Sequence, residues 1–168
     1  MQVDAYKKID EIPFDFLRKR DAVVLEKGGE HVLIVKGAPE ELFKISTQYE
    51  RGSGTHRLTA KTEEAILKQF HKFSEQGFRI LGIAVRRMTH KQTAYHKDEE
   101  KEMTFIGFAA FLDPPKETAK ETVRELQELG IEIKIVTGDN ELLTKKICRD
   151  IGLDIRGVLL GEEMERLD

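Results

Sequence analysis

The adjacent prolines Pro114 and Pro115, in "FLDPPKETAKE", divide this chain more sharply than any other feature. Proline gives no N–H to a ladder and holds φ at about −65°, so the apolar run "FIGFAAFL" before it cannot continue as a central strand. Asp113 stands where it can cap a helix whose first turn takes the prolines. The sequence changes character here, so "DPPK" is expected to be a stiff joint, with one domain over 1–112 and a second part over 113–168.

The first part reads as sheet with packed helices. "AVVLE" and "HVLIVK" flank "KGGE", whose paired glycines suit a tight hairpin. "PEELFKIS" is a short helix with Pro39 in its first turn and Glu40 and Glu41 at its positive end. "ERGSGTHRL" is a second hairpin tip; its glycines lack the spacing of a phosphate-cradling loop and serve the turn. Ile66, Phe70 and Phe73 line one face of a helix over Thr62–Gln76, stopped by Gly77. "FRILGIAVRR" and "MTFIGFAAFL" return as strands, and Met88–Glu102 is expected to be a polar surface excursion between them.

The second part reads as helix, strand, helix, strand. Ala119, Val123, Leu126 and Leu129 share a face before Gly130, and Leu143, Ile147 and Ile151 share another before Gly152. Between the helices "IEIKIV" is expected to be a strand, and "GVLLG" a further one, paired in parallel. A parallel sheet should be covered on both faces, and these strands are too few for that, so the second domain is expected to be incomplete.

Composition excludes several classes. The 168 residues, 39% hydrophobic and 35% charged, suit a globular soluble chain. A net charge of −3 argues against a general grip on nucleic acid. Cys148 stands alone, which excludes a disulfide framework and a paired-cysteine zinc site. His31, His56, His71, His90 and His96 show no ligand spacing, so they are expected on the surface and no metal is assigned. No apolar run approaches the roughly 18 residues of a membrane helix, nor is there a signal-peptide core, and the chain is expected to be soluble and cytosolic.

In open parallel sheets, ligands sit beyond the carboxyl ends of strands, where a starting helix offers free N–H groups. Thr137, Gly138 and Asp139 of "TGDN" occupy that place. A threonine hydroxyl can meet a phosphoryl oxygen, the glycine admits close approach, and the acid can hold a lysine or a metal-bound water. On these residues alone, a plain helix cap by Asp139 or Asn140 is the simpler reading.

"FLDPPKETAKETVRELQELGIEIKIVTGDN", followed by "TKKICRDIGL", resembles the passage from the nucleotide-binding into the phosphorylation domain of P-type cation-transporting ATPases. "VKGAPE", upstream in the expected order, resembles that family's nucleotide-site lysine motif, and "KIDEIPFDFLRKR" with "GDNELLTKKICRDIGLDI" is most similar to the magnesium-transporting branch. The resemblance covers nearly the whole chain. It implies a nucleotide-binding domain with an antiparallel sheet, N-terminally incomplete, followed by part of a haloacid-dehalogenase-like α/β phosphorylation domain. It also implies a cytoplasmic piece of an integral membrane pump, whose partners are adenine nucleotide and the remaining phosphorylation, actuator and transmembrane domains. ATP is the implied cofactor, with Mg2+ accompanying it in the intact pump.

By this resemblance "FLRKR" places Phe16 under the adenine and Arg18 at the nucleotide's edge. Lys36 lines the adenine end, with Gly37 permitting close approach, and Arg79 and Leu81, two apart on one strand face, close over the nucleotide. Core packing for Phe16, a solvated surface for Lys36 and plain strand positions for Arg79 and Leu81 are the readings that hold without it. Thr137, Gly138 and Asp139 become the phosphate-contacting loop. The family's "DKTGT" and "GDGxND" strings are absent from this chain, so it is expected to bind nucleotide without turning it over. Many calcium and proton pumps carry a lysine where this chain has Asp21, which implies weak binding, submillimolar to millimolar, or about 4 to 5 kcal/mol. A noncatalytic interaction domain is the competing class. A haloacid-dehalogenase-like phosphatase is a third, set back by the lack of a "DxDx[TV]" element.

Overall fold

The computed structural model describes residues 5–164 and 166. They fall into two compact units: the described residues through Phe70 with Ile80–Ala109, and His71–Arg79 with the described residues from Ala110 onward.

The first unit is built on a seven-stranded sheet, of whose strands the first two residues of β6 and the last three of β7 are counted with the second unit. Its strands are β1 (Lys7–Asp15), β2 (Arg20–Lys27), β3 (Glu30–Gly37), β4 (Ser46–Arg51), β5 (Gly54–Arg57), β6 (Phe78–Arg87) and β7 (Met103–Leu112), in the spatial order β1-β2-β3-β6-β7-β4-β5. β2 and β3 form the expected hairpin: Gly28 (φ 59°) and Gly29 (φ 80°) supply two consecutive positive φ angles, which a two-residue turn of this hand requires. β3 pairs antiparallel with β6, and β4 with β5, while β4 runs parallel to β7. The fold is thus a mixed sheet with helices packed on it, as the sequence predicts.

Strand alternation explains where the core sits. Ala22 and Val24 of β2, Leu33 and Val35 of β3 and Ala84 of β6 point to one face, where they meet Leu42 and Phe43 of α1 (Pro39–Ile45) and Met103 and Phe105 of β7. Ile66 and Leu67 of α2 (Ala60–Glu75) pack against this cluster. Phe43 and Phe105 lie centroid to centroid at 4.7 Å. Side chains that pass from water into such a site contribute about 1.5–3 kcal/mol each.

Two expectations about this unit need correction. The Met88–Glu102 excursion is not a purely polar surface loop, because Tyr95 and Glu100 are buried. His31 is buried too: its Nδ1 lies 2.7 Å from the Tyr95 hydroxyl, and each ring satisfies the polar atom that the other brings inside.

The second unit contains α3 (Ala119–Glu128), α4 (Glu141–Asp150) and the short α5 (Gly161–Met164). Gly130 and Gly152, both at φ 77°, follow α3 and α4 as left-handed stops. The strands expected at "IEIKIV" and "GVLLG" do not form among the described residues. A parallel strand exists only through hydrogen bonds to its neighbours, and none pairs with either segment here. Ile131, Ile135 and Val136 are accordingly exposed, Val136 at 98%.

Candidate functional site

In the first unit the candidate residues gather through register. Arg20 pairs with Gly37 and Asp21 with Lys36 across β2–β3, while Gly37 pairs with Gly82 and Lys36 with Ile83 across β3–β6. Leu81 directly precedes Gly82 and is half-buried. Lys36 alternates with Val35, so it leaves the sheet on the side opposite the core.

Phe16 does not lie in a strand. It opens the turn of residues 16–19 between β1 and β2 and is 86% exposed, touching the edge of Phe14 at 5.2 Å in a T-shaped contact. The turn is tightly held. Asp15 Oδ1 accepts the Leu17 N–H at 2.7 Å and the Arg18 N–H at 3.2 Å, and the Asp15 carbonyl accepts the Lys19 N–H at 2.7 Å. Those side-chain-bound backbone donors, Arg18's first, hold the Asp15 carboxyl below its ordinary value. Lys19 adopts φ 49°, a left-handed conformation that a lysine keeps only when its surroundings impose it.

The Arg18 guanidinium is engaged by the protein. Nη1 donates to Glu100 Oε1 at 2.5 Å and Nη2 to the Pro13 carbonyl at 3.0 Å. Nε lies 3.5 Å from Asp15 Oδ2, an ionic contact without a hydrogen bond. Glu100 raises Arg18's affinity for its proton still further. Lys36 remains largely in solvent, its ammonium 3.5 Å from the Asp21 carboxylate. Gly37 has a structural duty: a Cβ there would stand 2.4 Å from the Lys19 carbonyl oxygen and 2.5 Å from Arg20 Cβ. The space that its hydrogen leaves is filled by the chain itself.

In the second unit Arg79 Nη2 donates to both Asp139 oxygens, at 2.8 and 2.9 Å, and this carboxylate keeps the guanidinium firmly charged. Thr137 Oγ1 accepts the Asp139 N–H at 3.1 Å, and Gly138 has open space around it. Asn140 caps α4, its Oδ1 accepting the Leu143 N–H at 3.0 Å. The cap and the acid are therefore separate residues. Phe16, Lys36, Gly37 and Leu81 belong to the first unit, with Arg18, and Arg79, Thr137, Gly138 and Asp139 to the second. Sequence reasoning missed Glu100 and its second partner Arg20, whose Nε donates to Glu100 Oε2 at 2.7 Å. No local signal marks a pairing across 80 residues.

Among the described residues no helix is long and apolar enough to cross a membrane, and no cluster of acids, histidines or cysteine suits a metal ion. The family model for the P-type ATPase cytoplasmic domain N matches residues 2–118. The chain is 37% identical over 164 residues to the "Magnesium-transporting ATPase, P-type 1" of Salmonella typhimurium (strain LT2), covering 95% of this chain and 18% of that protein. It is 36% identical over 163 residues to the protein of that name in Escherichia coli (strain K12), covering 96% and 18%. To the "Calcium-transporting ATPase 1" of Lactococcus lactis it is 29% identical over 162 residues, covering 95% and 18%. The chain thus spans about 18% of the length of these relatives. It belongs to the P-type ATPases, and the matched segment is their cytoplasmic domain N.

Proposed function

We propose that this chain binds the adenine nucleotide of a P-type ATPase that moves a divalent cation, magnesium in the first instance. Adenine stacks on Phe16, Leu81 offers an apolar contact, and Lys36 lies towards the nucleotide. The single observation that carries the reading is the solvent-facing ring of Phe16 on a clamped turn that leads into the Arg20–Gly37–Gly82 row. A ring face open to solvent is free to take a base, and a base stacked on it contributes on the order of 1–3 kcal/mol.

Binding is weak. Asp21 beside Lys36 offsets that cation, and Arg18 is committed to Glu100. Arg18 therefore acts at the nucleotide's edge by shaping the turn, and Gly37 by seating the turn against β3. ATP, with its Mg2+, supplies the phosphoryl group in the intact pump; this chain's residues bind and orient the nucleoside. Residues 113–168 contribute to the phosphorylation domain, in which Thr137, Gly138 and Asp139 form a phosphate-contacting loop and Arg79 holds Asp139 until nucleotide arrives. The remaining phosphorylation, actuator and transmembrane domains are the partners, and the chain by itself does not turn ATP over.

The magnesium assignment draws on the names of the two relatives at 36–37% identity. Titration of the labelled chain with ATP, followed by NMR, tests the reading. Signals of Phe16, Lys36 and Leu81 should move with a submillimolar to millimolar midpoint, equivalent to about 4 to 5 kcal/mol. Phe16→Ala should weaken binding about fivefold or more with the core signals of Leu33 and Val35 unmoved. Unchanged Phe16, Lys36 and Leu81 signals at saturating ATP would remove the proposal in favour of a noncatalytic interaction domain.

A further inference from the structure

Glu100 is the most deeply buried acid among the described residues, with no side-chain exposure, and the nucleotide reading makes no use of it. It comes from the excursion between β6 and β7 and meets two guanidinium groups, one within the Phe16 turn and one directly after it: Arg18 at 2.5 Å and Arg20 at 2.7 Å. Each of its oxygens has one arginine. The arginines are tied further, Arg18 to the Pro13 carbonyl and Arg20 to the Glu41 carboxylate at 4.0 Å. Between them lies Lys19, the left-handed residue whose carbonyl accepts the Ala38 N–H at 3.0 Å, next to Gly37.

We infer that Glu100 is a positioning residue for adenine-nucleotide binding: by clamping Arg18 and Arg20 from inside, it fixes the backbone that holds Phe16 out to the base. The inference rests on the nucleotide reading above. Three physical points support it. Phe16 has little packing of its own beyond the Phe14 edge, so its direction is set by the turn's backbone. That backbone includes a positive φ at a non-glycine residue, which relaxes unless it is held. A buried ion cluster contributes little net stability compared with apolar residues of equal volume, but it fixes geometry, because each charge tolerates few arrangements of its partners. A carboxylate between two guanidinium forks suits the second task.

The test is a double-mutant cycle read by NMR titration with ATP, ADP and AMP. Glu100→Gln keeps the volume and removes the charge. It should weaken all three nucleotides by the same factor, about fivefold, within the usual range for coupled neighbours, because the shared part is the adenosine. In a Phe16→Ala background the same substitution should weaken binding no further. Wild-type affinity in Glu100→Gln would overturn the inference. So would a loss that persists undiminished without the Phe16 ring, since that is the signature of general loosening. Should Glu100→Gln fail to fold, Arg20→Lys decides the matter: it keeps the charge and loses the fork, and it should weaken ATP about two- to threefold in the presence of Phe16 only. An unchanged affinity there overturns the inference as well. A wild-type chain whose signals ATP leaves in place removes the nucleotide reading itself, and this inference with it.

Discussion

A β-carbon on Gly37 would fall within 2.7 Å of Arg20 Cα as well as on the Lys19 carbonyl, and backbone cannot swing aside as a lysine tip can. The glycine of "VKGAPE" is therefore needed for β2 to pass close to β3 where the Phe16 turn ends. Gly37→Ala should cost about 1–3 kcal/mol by overpacking, and thermal unfolding should show it; an unchanged melting temperature would contradict the close approach. Asp21 governs the neighbouring cation. It stands directly across from Lys36, and both are partly in solvent, so their attraction is worth well under what a buried pair gives. Its effect on a polyanion is larger, because it cancels the Lys36 charge. Asp21→Asn should tighten ATP about two- to fivefold at low salt, and the gain should shrink as ionic strength rises. An affinity that stays level would mean that the phosphates lie away from Lys36.

At the scale of elements, the excursion between β6 and β7 is a brace. Its Tyr95 N–H donates to Asp10 Oδ2 of β1 at 2.7 Å, and its Tyr95 hydroxyl reaches His31 of β3. The Tyr95 N–H, then the Glu11 N–H, lower the Asp10 carboxyl below its ordinary value. A carboxyl that titrates lower folded than unfolded stabilises the fold fully above its unfolded value, about pH 4, and loses that contribution as pH falls through the folded value. Urea unfolding should therefore show stability dropping as pH falls from about 5 to about 3, and Asp10→Asn should flatten that drop. A slope that Asp10→Asn leaves unaltered would remove Asp10 from the brace. Such a brace was beyond sequence reading, because its polar pairs span 64 and 85 residues. The elements themselves were legible where one signal decided them: "KGGE" for the hairpin, Pro39 for the start of α1, Gly77 and Gly130 for helix stops. β1 gave little signal, since Ile12 is its one buried residue. "IEIKIV" gave a strong signal but found no neighbour to pair with, for strand periodicity states what a segment can do and its partners decide whether it does.

For the whole molecule, two units and a family match over residues 2–118 describe a P-type ATPase cytoplasmic domain N with a further α-helical segment, about 18% of the length of its relatives. Membership was readable because "KGAPE", "DPPK" and "TGDN" stand in order along the chain. The state of each site residue was not: exposure of Phe16, commitment of Arg18 to Glu100 and pairing of Arg79 with Asp139 are products of tertiary structure. The central claim is that adenosine lies against the Phe16 ring while the reactive carboxylate belongs to another part of the pump. Nuclear Overhauser effects between ATP and the wild-type chain test it most directly. Cross-peaks from adenine H2 or H8 to the Phe16 ring protons are the predicted result; ATP that binds with its adenine cross-peaks confined to other residues would contradict it.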